Sequence, residues 1–160
     1  MSEKHQEFLK RVDNSRPAVF KVAEYLHRSG YSVSIPAYKY APTASEHMAY
    51  VDSGDIIIEG QKSGRIEVKH RLKEMFTCLA DYPYRDRTIV ASKKSIDRAS
   101  PTPLAYIFVN SVMTHIGIIH CDTKPQWFVK SFKMPNTGNF EEVYLCPLKH
   151  VVFTKLKGNA

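Results

Sequence analysis

No stretch of this chain approaches the roughly 18 consecutive apolar residues that a membrane helix needs. Its first residues, MSEKHQEFLKRVDN, are charged with no apolar run behind them. Neither a secretory signal nor a membrane partner is therefore expected. Cysteine is scarce: Cys78, Cys121 and Cys146 make an odd count, with no two close together. Without a CxxC pair, neither a zinc site nor a disulfide framework is expected, and reduced thiols in the cytoplasm are the simplest expectation. No glycine-rich phosphate loop is present, which leaves a nucleotide-driven motor or kinase unsupported. The seven histidines form no HxH or HExxH pattern. His115 and His120 bracket an apolar run and fall on opposite faces of a strand, so they read as ordinary strand residues rather than a metal pair.

What is there suits one domain with one hydrophobic core, because 160 residues leave little room for a second. The formal net charge is +7, a surplus that favours polyanionic partners by displacing their counterions, although charge alone also fits many small proteins that bind no nucleic acid. Residues 3 to 29 read as helical, in two pieces. Ser15 could cap the second piece, with Pro17 in its first turn, an apolar stripe of Val19, Val22, Ala23 and Leu26, and Gly30 at the C-cap. Tyr31 to Tyr40 reads as a first strand, bent or edge-lying at Pro36. After a loop over residues 41–52, Asp55 to Glu59 and Arg65 to Lys69 flank a turn with glycine at both ends, Gly60 and Gly64, which predicts a hairpin. Leu72, Met75, Phe76 and Leu79 follow at helical spacing and predict an amphipathic helix ending before Pro83. Strands are expected at Thr88 to Ser92, Leu104 to Val109, Ile116 to His120, Trp127 to Phe132, Val143 to Cys146 and Val151 to Phe153, with a short helix around Ser95 to Ala99. The expected fold class is mixed α/β, a sheet flanked by helices.

The hairpin carries the chemistry. Side chains alternate faces along a strand, so Asp55, Ile57 and Glu59 share one face and Arg65, Glu67 and Lys69 share one face of the partner. A turn centred on Gln61 sets Asp55 opposite Glu67; one centred on Lys62 sets it opposite Lys69. Either register leaves Ile56, Ile58, Ile66 and Val68 on the other face, where a helix must pack. Two carboxylates held close repel each other and raise a pKa, and a hard divalent cation relieves that repulsion. Mg²⁺ is commonly held by one or two carboxylates and keeps several waters. It can polarise a phosphodiester and acidify a bound water, while an adjacent ammonium orients that water or stabilises transition-state charge. The bland alternative is a solvated sheet face with cross-strand ion pairs.

The segment SGDIIIEGQKSGRIEVKHR, Ser53 to Arg71, resembles the PD-(D/E)XK nuclease superfamily, which includes restriction endonucleases and Holliday-junction resolvases. The resemblance implies a restriction-endonuclease-like core of order α-β-β-β-α-β, matched here from about residue 15 to about residue 92, roughly half the chain. On that basis the whole of residues 1–160 forms one nuclease-like domain, with a core over about 15–110 and a β-rich C-terminal extension over about 111–157. Gly54 stands where the family usually has proline. The resemblance further implies Asp55 and Glu67 as metal ligands, the backbone carbonyl of Val68 as another, and Lys69 as the catalytic lysine, with Mg²⁺ as cofactor or Mn²⁺ in its place. Family members often add an acidic residue from the first helix; Glu24 is the candidate here, with a solvent-facing role equally open, and Asp52 is a weaker alternative. The expected activity is hydrolysis of DNA phosphodiester bonds by an endonuclease. Duplex, branched and single-stranded substrates all stay open. A homodimer would supply the two sites needed to cut both strands at once. Small size and an unfamiliar C-terminal half suit a phage or mobile-element product.

Other residues have weaker claims. His70 and Arg71 could contact phosphate or form the surface of a helix N-terminus. Lys93 and Lys94 could support the active site or form a basic surface patch. Tyr82, Tyr84, Arg85 and Arg87 could stack on bases and hold phosphates, or pack at a core edge. Two further readings compete with the nuclease: a catalytically inactive nucleic-acid-binding or inhibitor module on the same fold, and a structural protein whose charged sheet face arose by chance.

Overall fold

The computed structural model describes residues 3–37, 41–43, 45–46, 54–135 and 138–156. In chain order the elements are α1 Glu3–Arg28, β1 Ser32–Ser34, β2 Ile56–Glu59, β3 Gly64–His70, β4 Arg87–Ser92, α2 Lys93–Arg98, β5 Ala105–Val109, β6 His115–His120, β7 Phe128–Lys133, β8 Phe140–Pro147 and β9 Val151–Lys155. The architecture is mixed α/β, rich in strand and poor in helix. None of the described helices is long and apolar enough to cross a membrane. Asp52 lies outside the described residues, as do Tyr38 to Tyr40, the last part of the expected first strand.

α1 is continuous where the sequence suggests two pieces. Pro17 lies inside it, at a cost of about 3 kcal/mol for a lost hydrogen bond and a ring clash. Ser15 does not cap a new helix; its Oγ donates to the Val12 carbonyl at 2.7 Å. Pro17 marks a change of environment instead. The residues just beyond it, Ala18, Val19, Val22, Ala23 and Leu26, are buried against the sheet, each contributing on the order of 1–3 kcal/mol, which offsets the proline. The helix stops as expected. Gly30 takes φ +96°, and N–H groups of Gly30 and Tyr31 reach back to the carbonyls of His27 at 3.0 Å and Leu26 at 3.2 Å, the paired bonds of a Schellman cap.

Six strands form one sheet in the order β1-β2-β3-β5-β6-β9. Its neighbours run antiparallel except β3 and β5, which run parallel, Ile66 beside Ala105 and His70 beside Val109. On one face Ile56, Ile58, Ile66, Val68, Ile107 and Val109 pack beneath α1, as strand parity requires. The other face is divided. Its β5–β6–β9 half is aromatic and covered. Phe76 is the hub, with ring centroids 5.3 Å from Phe108, 5.4 Å from Tyr82 and 5.7 Å from Phe153. Gly117, opposite Phe108, admits that ring because a Cβ there would lie 2.1 Å from it. The smaller antiparallel sheet, β4-β8-β7, closes this side through Val90 and Cys146, with Trp127 just ahead of β7. The β2–β3 half of the same face carries the charged side chains.

The expected helix over Leu72 to Leu79 does not form. Residues 71–78 are irregular, followed by a 3-10 turn at Leu79–Asp81. Only Phe76 of the four apolar residues is buried; Leu72 is 61 % and Met75 52 % exposed. The backbone finds partners outside a helix. Arg71 N donates to Val109 O at 2.8 Å and Ser111 N to Glu74 O at 2.9 Å. Fully buried Asn110 donates its amide to Phe76 O at 2.9 Å, and Asp81 accepts from the N–H groups of Thr77 and Cys78. Tertiary bonds of this kind override a local periodicity. The crossover joining parallel β3 and β5 therefore consists of β4 and the six-residue α2, and the large sheet is flanked by a helix on one face and a small sheet on the other.

Candidate active site

Gly54 and Asp55 lead into β2, and Glu67 and Lys69 sit on β3. The observed register pairs Ile56 with Ile66 and Ile57 with Arg65, which is the turn centred on Gln61. Continuing it one step sets Asp55 across from Glu67. Asp55 Oδ2 accepts the Val68 N–H at 2.7 Å, pinning the carboxylate to the partner strand. Register and strand parity set Asp55, Glu67 and Lys69 on one face of the hairpin. Lys69 is half-buried, and among the described residues its ammonium makes no hydrogen bond or ion pair.

Arg65 is the member of the site that the hairpin reading left without a role. Its Nε donates to Glu67 Oε1 at 3.1 Å, and its Nη2 donates to the same oxygen. Both side chains are enclosed, 8 % and 15 % exposed. The alternation Arg65-x-Glu67-x-Lys69 put the guanidinium on this face, and that was the available signal. Burial pushes the Glu67 carboxyl above its ordinary range, further than the hydrogen bond from Arg65 pulls it back; Asp55 adds to the rise and Lys69 opposes it. Tyr106 on β5, paired with Glu67, is likewise pushed up by burial and by the Glu67 charge. Burial also pushes the Cys121 thiol up to about 12. Tyr106 was not marked by local sequence, because a parallel neighbour comes from a distant segment.

Gly54 is part of the site's wall. Its φ is +110°, and a Cβ there would lie 3.0 Å from both Cβ and Nε of Arg65 and 3.4 Å from Glu67 Oε1. Proline, locked near −65°, cannot take this conformation, and the missing Cβ leaves space for the guanidinium.

The remaining candidates are dispersed. Glu24 pairs with Arg28 at 2.6 Å on α1 and lines a separate cavity with Met113, Thr114 and Lys155. His70 Nε2 lies 3.3 Å from the Ser111 carbonyl, while its Nδ1 is enclosed without a partner. Arg71 crosses the Phe108 ring at 5.8 Å and donates to the Ile89 carbonyl. Lys93 is held by Asp97 at 2.6 Å, and Lys94 is exposed on α2. Arg85 lines a groove on the small sheet. Tyr82 packs in the aromatic cluster and hydrogen-bonds Thr88 at 2.6 Å, which is the core-edge role.

As a metal site, the described residues offer two carboxylates and no cluster of three or more His, Cys, Asp or Glu side chains. That set suits Mg²⁺ or Mn²⁺ with several retained waters. Arg65 engages only Oε1 of Glu67, and no described residue hydrogen-bonds Oε2. Asp55 and Glu67 would hold the ion. Comparison of the chain with models of known families, with curated proteins and with solved structures found no match.

Proposed function

We propose that this chain is a metal-dependent nuclease of the PD-(D/E)XK type that hydrolyses DNA phosphodiester bonds, with Asp55 and Glu67 as metal ligands and Lys69 as the catalytic lysine. The observation that carries the reading is the hairpin register, Ile56 beside Ile66, which sets the two carboxylates across from each other with Lys69 on the same face. Strand order supports it. β1, β2 and β3 are successively antiparallel and β5 joins β3 in parallel. The order expected over residues 15–92 does not form as read, because residues 71–78 make no helix and β4 joins the small sheet; an α-β-β-β-α-β order is met only by taking α2 and β5 in their place.

A bound divalent cation supplies Lewis acidity at the phosphate and an acidified water. The chain's own groups do the rest. Val68 N–H fixes Asp55, the Lys69 ammonium would stabilise charge that builds on the phosphate oxygens, and Arg65 pairs with Oε1 of Glu67.

A second reading is favoured by the Arg65–Glu67 ion pair. The guanidinium already supplies a positive charge to the carboxylate, as it would in an inactive nucleic-acid-binding or inhibitor module. Incubation with plasmid, branched and single-stranded DNA separates the two. The nuclease gives cleavage that needs Mg²⁺ or Mn²⁺, stops with chelator, and falls by roughly 100-fold or more in Lys69→Ala and in Asp55→Ala. Binding without cleavage establishes the second reading.

A further inference from the structure

On the outer face of the small sheet lies a groove of about 440 Å³, lined in part by Tyr84, Arg85, Arg87, Ile89, Lys130 and Phe132. Strand parity builds it. Thr88 and Val90 of β4 face the core, so Arg87 and Ile89 face outward. Phe128 and Ile89 both pair with Leu145, the floor of the groove, and Lys130 and Phe132 follow Phe128 on the same face of β7. The side chains alternate cation and ring. The Arg87 guanidinium lies 5.5 Å from the Phe128 ring centroid, and the Lys130 ammonium 5.1 Å from that of Phe132. Tyr84, Ile89 and Phe128 are exposed. Four cations, Arg71, Arg85, Arg87 and Lys130, face two carboxylates, Glu74 and Asp86. Arg71 joins this groove to the end of β3, two residues past Lys69, and its Nε is enclosed without a partner.

We propose that this groove binds single-stranded nucleic acid, its cations on successive phosphates and its rings against bases. A duplex can offer its phosphates to the cations, but its base faces are already stacked and leave the rings unused. An acidic peptide would satisfy the cations and leave the rings in water. The inference deepens the reading above by naming its substrate as a single strand, and it rests on that reading only for what happens to the strand once bound.

Fluorescence anisotropy in EDTA tests it, with a labelled thymidine oligonucleotide, a duplex of equal length and polyglutamate as competitor. The single strand binds at least tenfold more tightly than the duplex, and polyglutamate competes poorly. Arg87→Ala and Lys130→Ala each weaken binding and lower the salt slope by about 0.7 per lost phosphate contact. Phe132→Ala weakens binding with the slope unchanged. If Phe132→Ala unfolds the small sheet, the charge reversals Arg85→Glu and Lys130→Glu at exposed positions carry the test. Absent single-strand binding, equal duplex binding, or groove variants that bind like the parent overturn the proposal. Binding without cleavage in Mg²⁺ sinks the nuclease and leaves the groove standing; cleavage with normal binding by groove variants does the reverse.

Discussion

Arg65 and Glu67 lie on the same face of β3, two residues apart, and the guanidinium clasps one carboxylate oxygen, Oε1, with both Nε and Nη2. A buried carboxylate stripped of its partner costs about 3–5 kcal/mol. Arg65→Met should therefore lower stability by about 3 kcal/mol in chelator at pH 8, read from urea unfolding. The variant also removes the Arg65 charge that offsets the repulsion between Asp55 and Glu67, leaving Lys69 to oppose it. Added Mn²⁺ should then raise its unfolding midpoint more than that of the parent. A midpoint indifferent to Mn²⁺ in both proteins would remove the metal from the account.

Gly54 answers to the same pair. Alanine must adopt φ +110° and place its Cβ 3.0 Å from Arg65. Strain of this kind costs about 1–3 kcal/mol, so Gly54→Ala should lose that much stability. Gly54→Pro should lose more, because its ring forbids the angle altogether. Equilibrium urea unfolding measures both; an unchanged Gly54→Pro would contradict the described backbone.

Acid stability should depend on Asp97, which gathers Lys93, Tyr144 and Lys124 and so ties α2 to β8. Hydrogen bonds from Lys93 and Tyr144 hold its pKa down from 3.8 to about 2. Between those values the unfolded chain binds more protons than the native one, so stability rises with pH. The Asp97 contribution is complete above about pH 4 and is lost as pH falls through about 2. Glu67 runs the other way: its raised value favours the fold below its ordinary 4.5, and that contribution is lost as pH rises through the raised value. Thermal melts of Asp97→Asn across pH 2–4 should show a flatter slope than the parent. An equal slope would place the acid sensitivity elsewhere.

Asn110 decides the shape of the crossover. It is fully buried, donates to Phe76 O at 2.9 Å and accepts from Thr114 N at 2.8 Å and His115 N at 3.3 Å. Asn110→Ala strands these groups, at about 1–3 kcal/mol for each one left unsatisfied. The expected result is a stability loss of several kcal/mol with faster amide exchange in the β5–β6 turn. Retention of normal protection at Thr114 would contradict this role.

The hairpin was legible because a period of two leaves few arrangements. Gly60 and Gly64 bounded the turn, and Ile56, Ile58, Ile66 and Val68 could face only the core. The α1 cap was legible for a similar reason, since Gly30 suits a left-handed cap. The false helix at Leu72 to Leu79 shows where local pattern stops. Its spacing was helical, but Phe76 belongs to an aromatic cluster assembled from β5, β9 and Tyr82, and Asn110, 34 residues away, takes its carbonyl. Arg65 had the right parity and no visible partner until Gly54 proved to leave room for it. Tyr106 reaches Glu67 only because β3 and β5 run parallel, a pairing of distant segments that no short window contains.

A structure of the protein soaked in Mn²⁺, with anomalous scattering to locate the ion, tests the Asp55–Glu67 metal site most directly. One ion should be held by Asp55 and Glu67 oxygens, with the Lys69 ammonium beside it and Arg65 still on Oε1 or swung aside. An ion bound elsewhere, or Asp55 and Glu67 without metal at saturating Mn²⁺, would contradict it.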